Sequence, residues 1–173
     1  MAHSHICCYI HYIFSTKDRR KHITPELEER LLPYMGGIAR KHEMSALAAN
    51  GTEDHVHLLI SLPSELSVAK AIQLIKGGSS KWVHDTFPQY KDFEWQEGYG
   101  AYSVSISHIE RTIAYIRNQK EHHKTQVFKD EYGTFLRKHG IPFDERYVWG
   151  RFNRPYRDGA GLCSIIPANE LAG

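Results

Sequence analysis

The chain has 173 residues, 41% hydrophobic and 24% charged, which suits one globular domain and excludes the disordered and collagen-like classes. No apolar run approaches the roughly 20 residues a membrane span needs, and no secretory leader is expected where His3, His5 and His11 interrupt the opening apolar residues. A net charge of +2 neither demands nor excludes nucleic acid, while three cysteines, Cys7, Cys8 and Cys163, suggest a reducing cytoplasm rather than a disulfide framework.

Residues 5–15 are rich in aromatic and β-branched types and predict a strand. Thr24-Pro25, followed by Glu26, Glu28 and Glu29, predicts a capped helix start. That helix should run to about Lys41, with a kink near Pro33 or Gly36-Gly37. Residues 45–50 and 55–61 are short apolar runs whose link contains Asn50-Gly51, which predicts a hairpin. Val68, Ile72, Ile75, Trp82 and Val83 give a second amphipathic helix, with an interruption expected at Gly77-Gly78. Residues 94–96 and 99–105 read as two further strands. Ser107 and Glu110 fit a capping box for a third helix reaching about Lys124. A last helix is expected over 129–139, ending at Gly140.

Hairpin-linked strands with intervening helices imply an α+β fold: an antiparallel β-sheet with helices packed on one face. Residues 1–148 should form the folded domain. Residues 149–173, rich in Gly, Pro and Arg, should form an irregular extension.

The 12 histidines are the unusual feature. His55 and His57 lie two apart in a strand, so both imidazoles leave one face and can share a metal ion. Tyr115 and Gln119 are spaced i and i+4 on the third helix, and His122 and His123 continue that face. Ile109, Ile113 and Ile116 form the neighbouring apolar stripe.

A His-hydrophobic-His strand within Asp-His-Val-His-Leu-Leu-Ile, followed by a helix carrying Tyr-x-x-x-Gln, resembles the HUH single-strand transposases with one catalytic tyrosine. These are the IS-two-hundred-like insertion-sequence enzymes. The opening strand at residues 12–17 is also similar to theirs, and the resemblance spans about residues 5–148. It implies a ferredoxin-like or RRM-like sandwich. It implies His55, His57 and Gln119 as ligands of a divalent cation, Mg²⁺ or Mn²⁺. Tyr115 would attack a DNA phosphodiester and form a 5′-phosphotyrosine. The implied partners are single-stranded, hairpin-forming transposon ends and a second copy of the chain, with the tyrosine helix serving its own or its partner's site.

Chemistry agrees with those roles. A cation stabilises charge building on phosphoryl oxygens, and a covalent tyrosine link keeps the bond energy for rejoining. The tyrosine proton needs an acceptor, for which Glu121, His122 and His123 are candidates. Glu53 shares the face of the histidine pair if the strand extends that far, and is a candidate to orient them. Lys17, Arg19, Arg20, Lys21, Arg117 and Lys120 are candidate phosphate contacts, as is Lys76. Tyr9, Tyr12, Tyr99 and Tyr102 are candidate base-stacking residues. Two other readings share the residues. One is an HUH replication or relaxase-type nickase, whose usual attached helicase domain is not expected in a chain of this length. The other is a domesticated, non-catalytic single-stranded DNA-binding protein.

Overall fold

The computed structural model describes residues 5–122 and 128–141. The chain divides into two compact units, residues 1–125 and 126–173. The boundary expected after residue 148 lies outside the described residues.

The first unit is a four-stranded antiparallel sheet of β1 (Tyr9–Ser15), β2 (Ser45–Gly51), β3 (His55–Ser61) and β4 (Gly100–Val104), in the order β2-β3-β1-β4. Two helices, α1 (Pro25–Lys41) and α2 (Val68–Thr86), connect β1 to β2 and β3 to β4. This is the split βαβ arrangement of a ferredoxin-like sandwich. Strand alternation sends Ile10, Tyr12 and Phe14 of β1, with Val56, Leu58 and Ile60 of β3, into one core. Leu27, Leu31, Met35 and Ala39 of α1 and Ala71, Ile72, Ile75 and Val83 of α2 fill that core from the other side.

The helices start where their caps are. Thr24 Oγ1 accepts from Leu27 N at 3.3 Å, and Ser67 Oγ accepts from Lys70 N at 3.1 Å. Neither α1 at Pro33 nor α2 at Gly77-Gly78 is interrupted. Gly78 faces α1: a Cβ there would come within 2.9 Å of Ile38 Cδ1, the tip of a side chain that would have to shift.

The hairpin forms as expected, but it turns at Glu53-Asp54, not at Asn50-Gly51. Thr52 N donates to His55 O at 3.0 Å and closes the loop. Gly51 stays in β2 opposite Val56, where a Cβ would lie 2.2 Å from His55 O. Of the strand expected at 94–96, only Trp95 bridges, to Thr16. Lys76 pins the loop after it. Its Nζ donates to the carbonyls of Gln96, Glu97 (3.0 Å) and Gly98 (3.1 Å), and burial pushes its pKa down to about 8. It therefore holds backbone rather than offering a phosphate contact.

The expected third helix is two pieces, α3 (Ile109–Arg117) and α4 (Gln119–His122), separated at Asn118. Its capping box does not form: Ser107 lies in a 3-10 turn and its hydroxyl meets Ser105 Oγ at 3.0 Å. α3 adds a partial layer on the face of the sheet opposite α1 and α2. There Ile116, with Ile109, Ile113 and Tyr115, packs on Leu59, Ala48 and Leu47. The second unit contributes α5 (Phe128–Lys138), which ends as expected at Gly140, with φ of +61°.

Candidate functional site

Both sheet faces are covered, so every residue of β3 from His55 to Ile60 is buried. His55, His57 and Leu59 alternate with the three core residues and share the face beneath α3. The two imidazole rings lie 5.2 Å apart between centroids. The apolar positions on the opposite face fix the register, and a one-residue slip would move both histidines into the α1–α2 core.

His55 is held through its Nδ1, which lies 2.7 Å from Asp54 Oδ1 and 2.8 Å from Thr52 Oγ1. The other oxygen of Asp54 accepts from Arg19 Nη2 at 2.7 Å. Burial alone would raise the Asp54 carboxyl, but His55 and then Arg19 outweigh it and hold it well below the ordinary carboxylate range. Burial lowers His55 below its usual value, and the Asp54 contact only partly opposes this.

His57 is held by a residue that spacing did not single out. His11 of β1 is 2% exposed, and its Nε2 lies 3.0 Å from His57 Nδ1. The signal was present in the sequence as a histidine inside an otherwise apolar and aromatic strand. Ile13 is the direct cross-strand partner of His57, so His11 reaches it along the diagonal.

Tyr115 joins this cluster from α3. Its half-buried ring meets His57 edge-on at 6.0 Å and His11 at 6.2 Å between centroids. Gln119 begins α4 and is fully buried. The break between them is stitched to the sheet, because Asn50 Nδ2 donates to Arg117 O at 2.8 Å and so satisfies a helix-end carbonyl.

Other expected residues fall elsewhere. Glu53 does not orient the histidines, because the chain turns there and strand alternation no longer applies; its carboxylate pairs with Lys21 at 2.8 Å in solvent. Asp54 takes the place expected for it. Glu121 is exposed, the His122 side chain is not among those described, and His123 lies outside the described residues. The basic run is paired throughout: Lys17 with Glu94, Arg19 with Asp54, Arg20 with Asp92 at 3.5 Å, and Lys21 with Glu53. Lys120 pairs with Glu28 at 2.7 Å, and Arg117 is exposed. Tyr12 and Tyr102 are buried and offer no stacking face, whereas Tyr99 is 38% exposed.

The sequence pattern of a family described as "Transposase IS200 like" matches residues 4–119, from before β1 through Gln119. The chain belongs to the IS200-like transposase family. It is 26% identical over 129 residues to the transposase for insertion sequence element IS200 of Salmonella typhimurium, covering 72% of this chain and 84% of that protein. It is also 26% identical over 85 residues to the ISDra2 transposase TnpA of Deinococcus radiodurans, covering 49% of this chain and 61% of that protein. Two solved structures share the fold. One, a proposed transposase from Deinococcus radiodurans, has a TM-score of 0.57 at 24% identity, covering 69% of this chain and 98% of that one. The other, a REP-associated tyrosine transposase bound to a REP hairpin, has a TM-score of 0.50 at 14% identity, covering 82% of this chain and 74% of that one. The match takes in His11, His55, His57, Tyr115 and Gln119 of this transposase and stops short of His122 and His123.

Among the described residues no helix is long and apolar enough to cross a membrane. Among the same residues no group of three or more His, Cys, Asp or Glu side chains is placed to hold a metal ion.

Proposed function

We propose that this transposase cuts and rejoins single-stranded DNA ends through Tyr115, with a divalent cation held by His55, His57 and Gln119. The observation that carries the reading is the meeting of Tyr115 with His57 within one chain, 6.0 Å between ring centres. The donor set is two imidazoles and one amide, all neutral. It suits Mn²⁺ better than Mg²⁺, which prefers oxygen ligands, and it leaves the cation's charge for phosphate. Nδ1 of each ring is already engaged, His55 with Asp54 and His57 with His11, so Nε2 is the atom each would offer.

When bound, the cation would act as a Lewis acid on the scissile phosphate. The chain's own residues do the rest. Tyr115 Oη attacks phosphorus, the P–O3′ bond breaks, and the 3′-oxygen leaves as a hydroxyl on taking up a proton. The strand is left joined by a 5′-phosphotyrosine. A phenol with an ordinary pKa of about 10 must surrender its proton as it attacks. The rings of His57 and His11 beside it hold the tyrosine ring in place.

Joining two ends takes two tyrosines, so a homodimer belongs to the same proposal. The contact of Tyr115 with His57 in one chain, 6.0 Å between ring centres, supports a tyrosine that serves its own chain's site. The partner DNA is single-stranded and folded as a short hairpin at a transposon end.

The test is cleavage of an end-labelled single-stranded hairpin with flanking DNA, against the same sequence as duplex. Cleavage of the single strand alone, lost with EDTA and restored by Mn²⁺ or Mg²⁺, is expected. Equal cutting of duplex, or cutting in EDTA, would overturn the reading. Tight binding with no cutting under any cation would favour a non-catalytic binding protein.

A further inference from the structure

Among the described residues three histidines are buried: His11, His55 and His57. The proposed chemistry uses only the last two. His11 lies in the same cluster, with its Nε2 3.0 Å from His57 Nδ1 and its ring 6.4 Å from Tyr102 and 6.2 Å from Tyr115.

A hydrogen bond between two ring nitrogens needs one proton between them. A neutral imidazole carries one N–H and one acceptor nitrogen. The direction of the His11–His57 bond therefore decides what His57 can do. If His11 donates, His57 Nδ1 is the acceptor, its Nε2 carries the hydrogen, and the ring cannot ligate through Nε2. If His57 donates, its Nε2 has a lone pair. His55 sets the comparison: its Nδ1 faces a carboxylate oxygen held ionised, which only accepts, so His55 donates and keeps Nε2 for a ligand.

We propose that His11 is a positioning residue, accepting the Nδ1–H of His57 and holding that ring in the tautomer whose Nε2 takes a divalent cation. The inference rests on the reading of His57 as a ligand. It assigns the two rings unequal support. His55 leans on a carboxylate, which strengthens it as a donor, and His57 leans on a neutral imidazole, which fixes its orientation without adding negative charge. A second carboxylate at position 11 would compete with the phosphate for the cation's charge.

Long-range ¹H–¹⁵N spectra of histidine-labelled, cation-free protein read the tautomer directly. The expected result is Nδ1–H for His57 in the wild type and in His11→Gln, whose amide oxygen can accept, and a loss of that preference in His11→Phe. Mn²⁺ affinity, followed by electron paramagnetic resonance of the free ion, should fall on the order of 10–100-fold in His11→Phe and be largely retained in His11→Gln. An Nε2–H tautomer in the wild type would overturn the proposal, and that spectrum needs no variant to fold. Loss of Mn²⁺ binding in His57→Ala with unchanged binding in His11→Phe would refute the role of His11 alone. Unchanged Mn²⁺ binding in His57→Ala would refute His57 as a ligand and the role of His11 with it.

Discussion

Tyr115 stands edge-on to His57, 6.0 Å between ring centres, although one residue belongs to a helix and the other to the second strand of a hairpin. Packing holds them there. Ile116, next to the tyrosine, is fully buried against Leu59, which shares the face of His57.

Ile116→Ala should therefore act twice. A truncated core isoleucine costs about 2–5 kcal/mol, which urea unfolding will show as a lower midpoint. Strand cleavage measured well below that midpoint should also fall, because the tyrosine loses its seat. A variant as destabilised as this but with wild-type cleavage would separate the packing of α3 from the position of Tyr115.

Asp54 is the only carboxylate against the histidine pair among the described contacts, and it is shared with Arg19. Asp54→Asn keeps the shape and removes the charge. Mn²⁺ affinity should drop on the order of 10–100-fold in a direct titration. Retention of affinity would mean that His55 is oriented by Thr52 instead.

Stability should depend on pH through the same pair. His55 is lowered by burial, so between its folded value and 6.5 the unfolded chain binds more protons. Stability contributed by neutral His55 is present above 6.5 and is lost as pH falls below it. Asp54 is also lowered, so its contribution is present above about 3.9 and is lost at lower pH still. Urea unfolding followed from about pH 8 down to about pH 5, the range in which most proteins are at their most stable, should show the wild type weakening toward acid and His55→Gln weakening less. Parallel curves would contradict the assignment.

Lys76 should be structural. Lys76→Met removes the donor shared by three carbonyls and should cost about 1–3 kcal/mol, seen as a lower urea midpoint. An unchanged midpoint would show that the loop before β4 holds without it.

The paired basic run makes a less obvious expectation. If a DNA strand passes over residues 17–21, Glu94 and Glu53 compete with its phosphates for Lys17 and Lys21. Glu94→Gln and Glu53→Gln should then tighten single-strand binding and steepen its salt dependence. No change in slope would place the strand elsewhere.

Four strands, both flanking helices and the existence of the hairpin were legible because alternation and capping are local: Thr24 caps α1 as Thr24-Pro25 predicts. The place of the hairpin turn and the lone bridge at Trp95 were not. The His55/His57 face was legible for the same reason. What sequence spacing missed depends on contacts between elements. Asn118 breaks a helix that the pattern continues, because Asn50 of β2 takes the carbonyl at its end. Glu53 loses its expected face because the hairpin turns there. His11 is invisible as a partner until β1 and β3 are laid side by side in register.

Tyr115 is the proposed nucleophile. Incubating wild type and Tyr115→Phe with a labelled single-stranded transposon-end hairpin and Mn²⁺, followed by denaturing electrophoresis, tests this directly. The wild type should carry the label covalently on its 5′-phosphate side, and Tyr115→Phe should bind the hairpin with unchanged affinity yet form no adduct. An adduct of wild-type yield in Tyr115→Phe would rule out Tyr115 as the nucleophile.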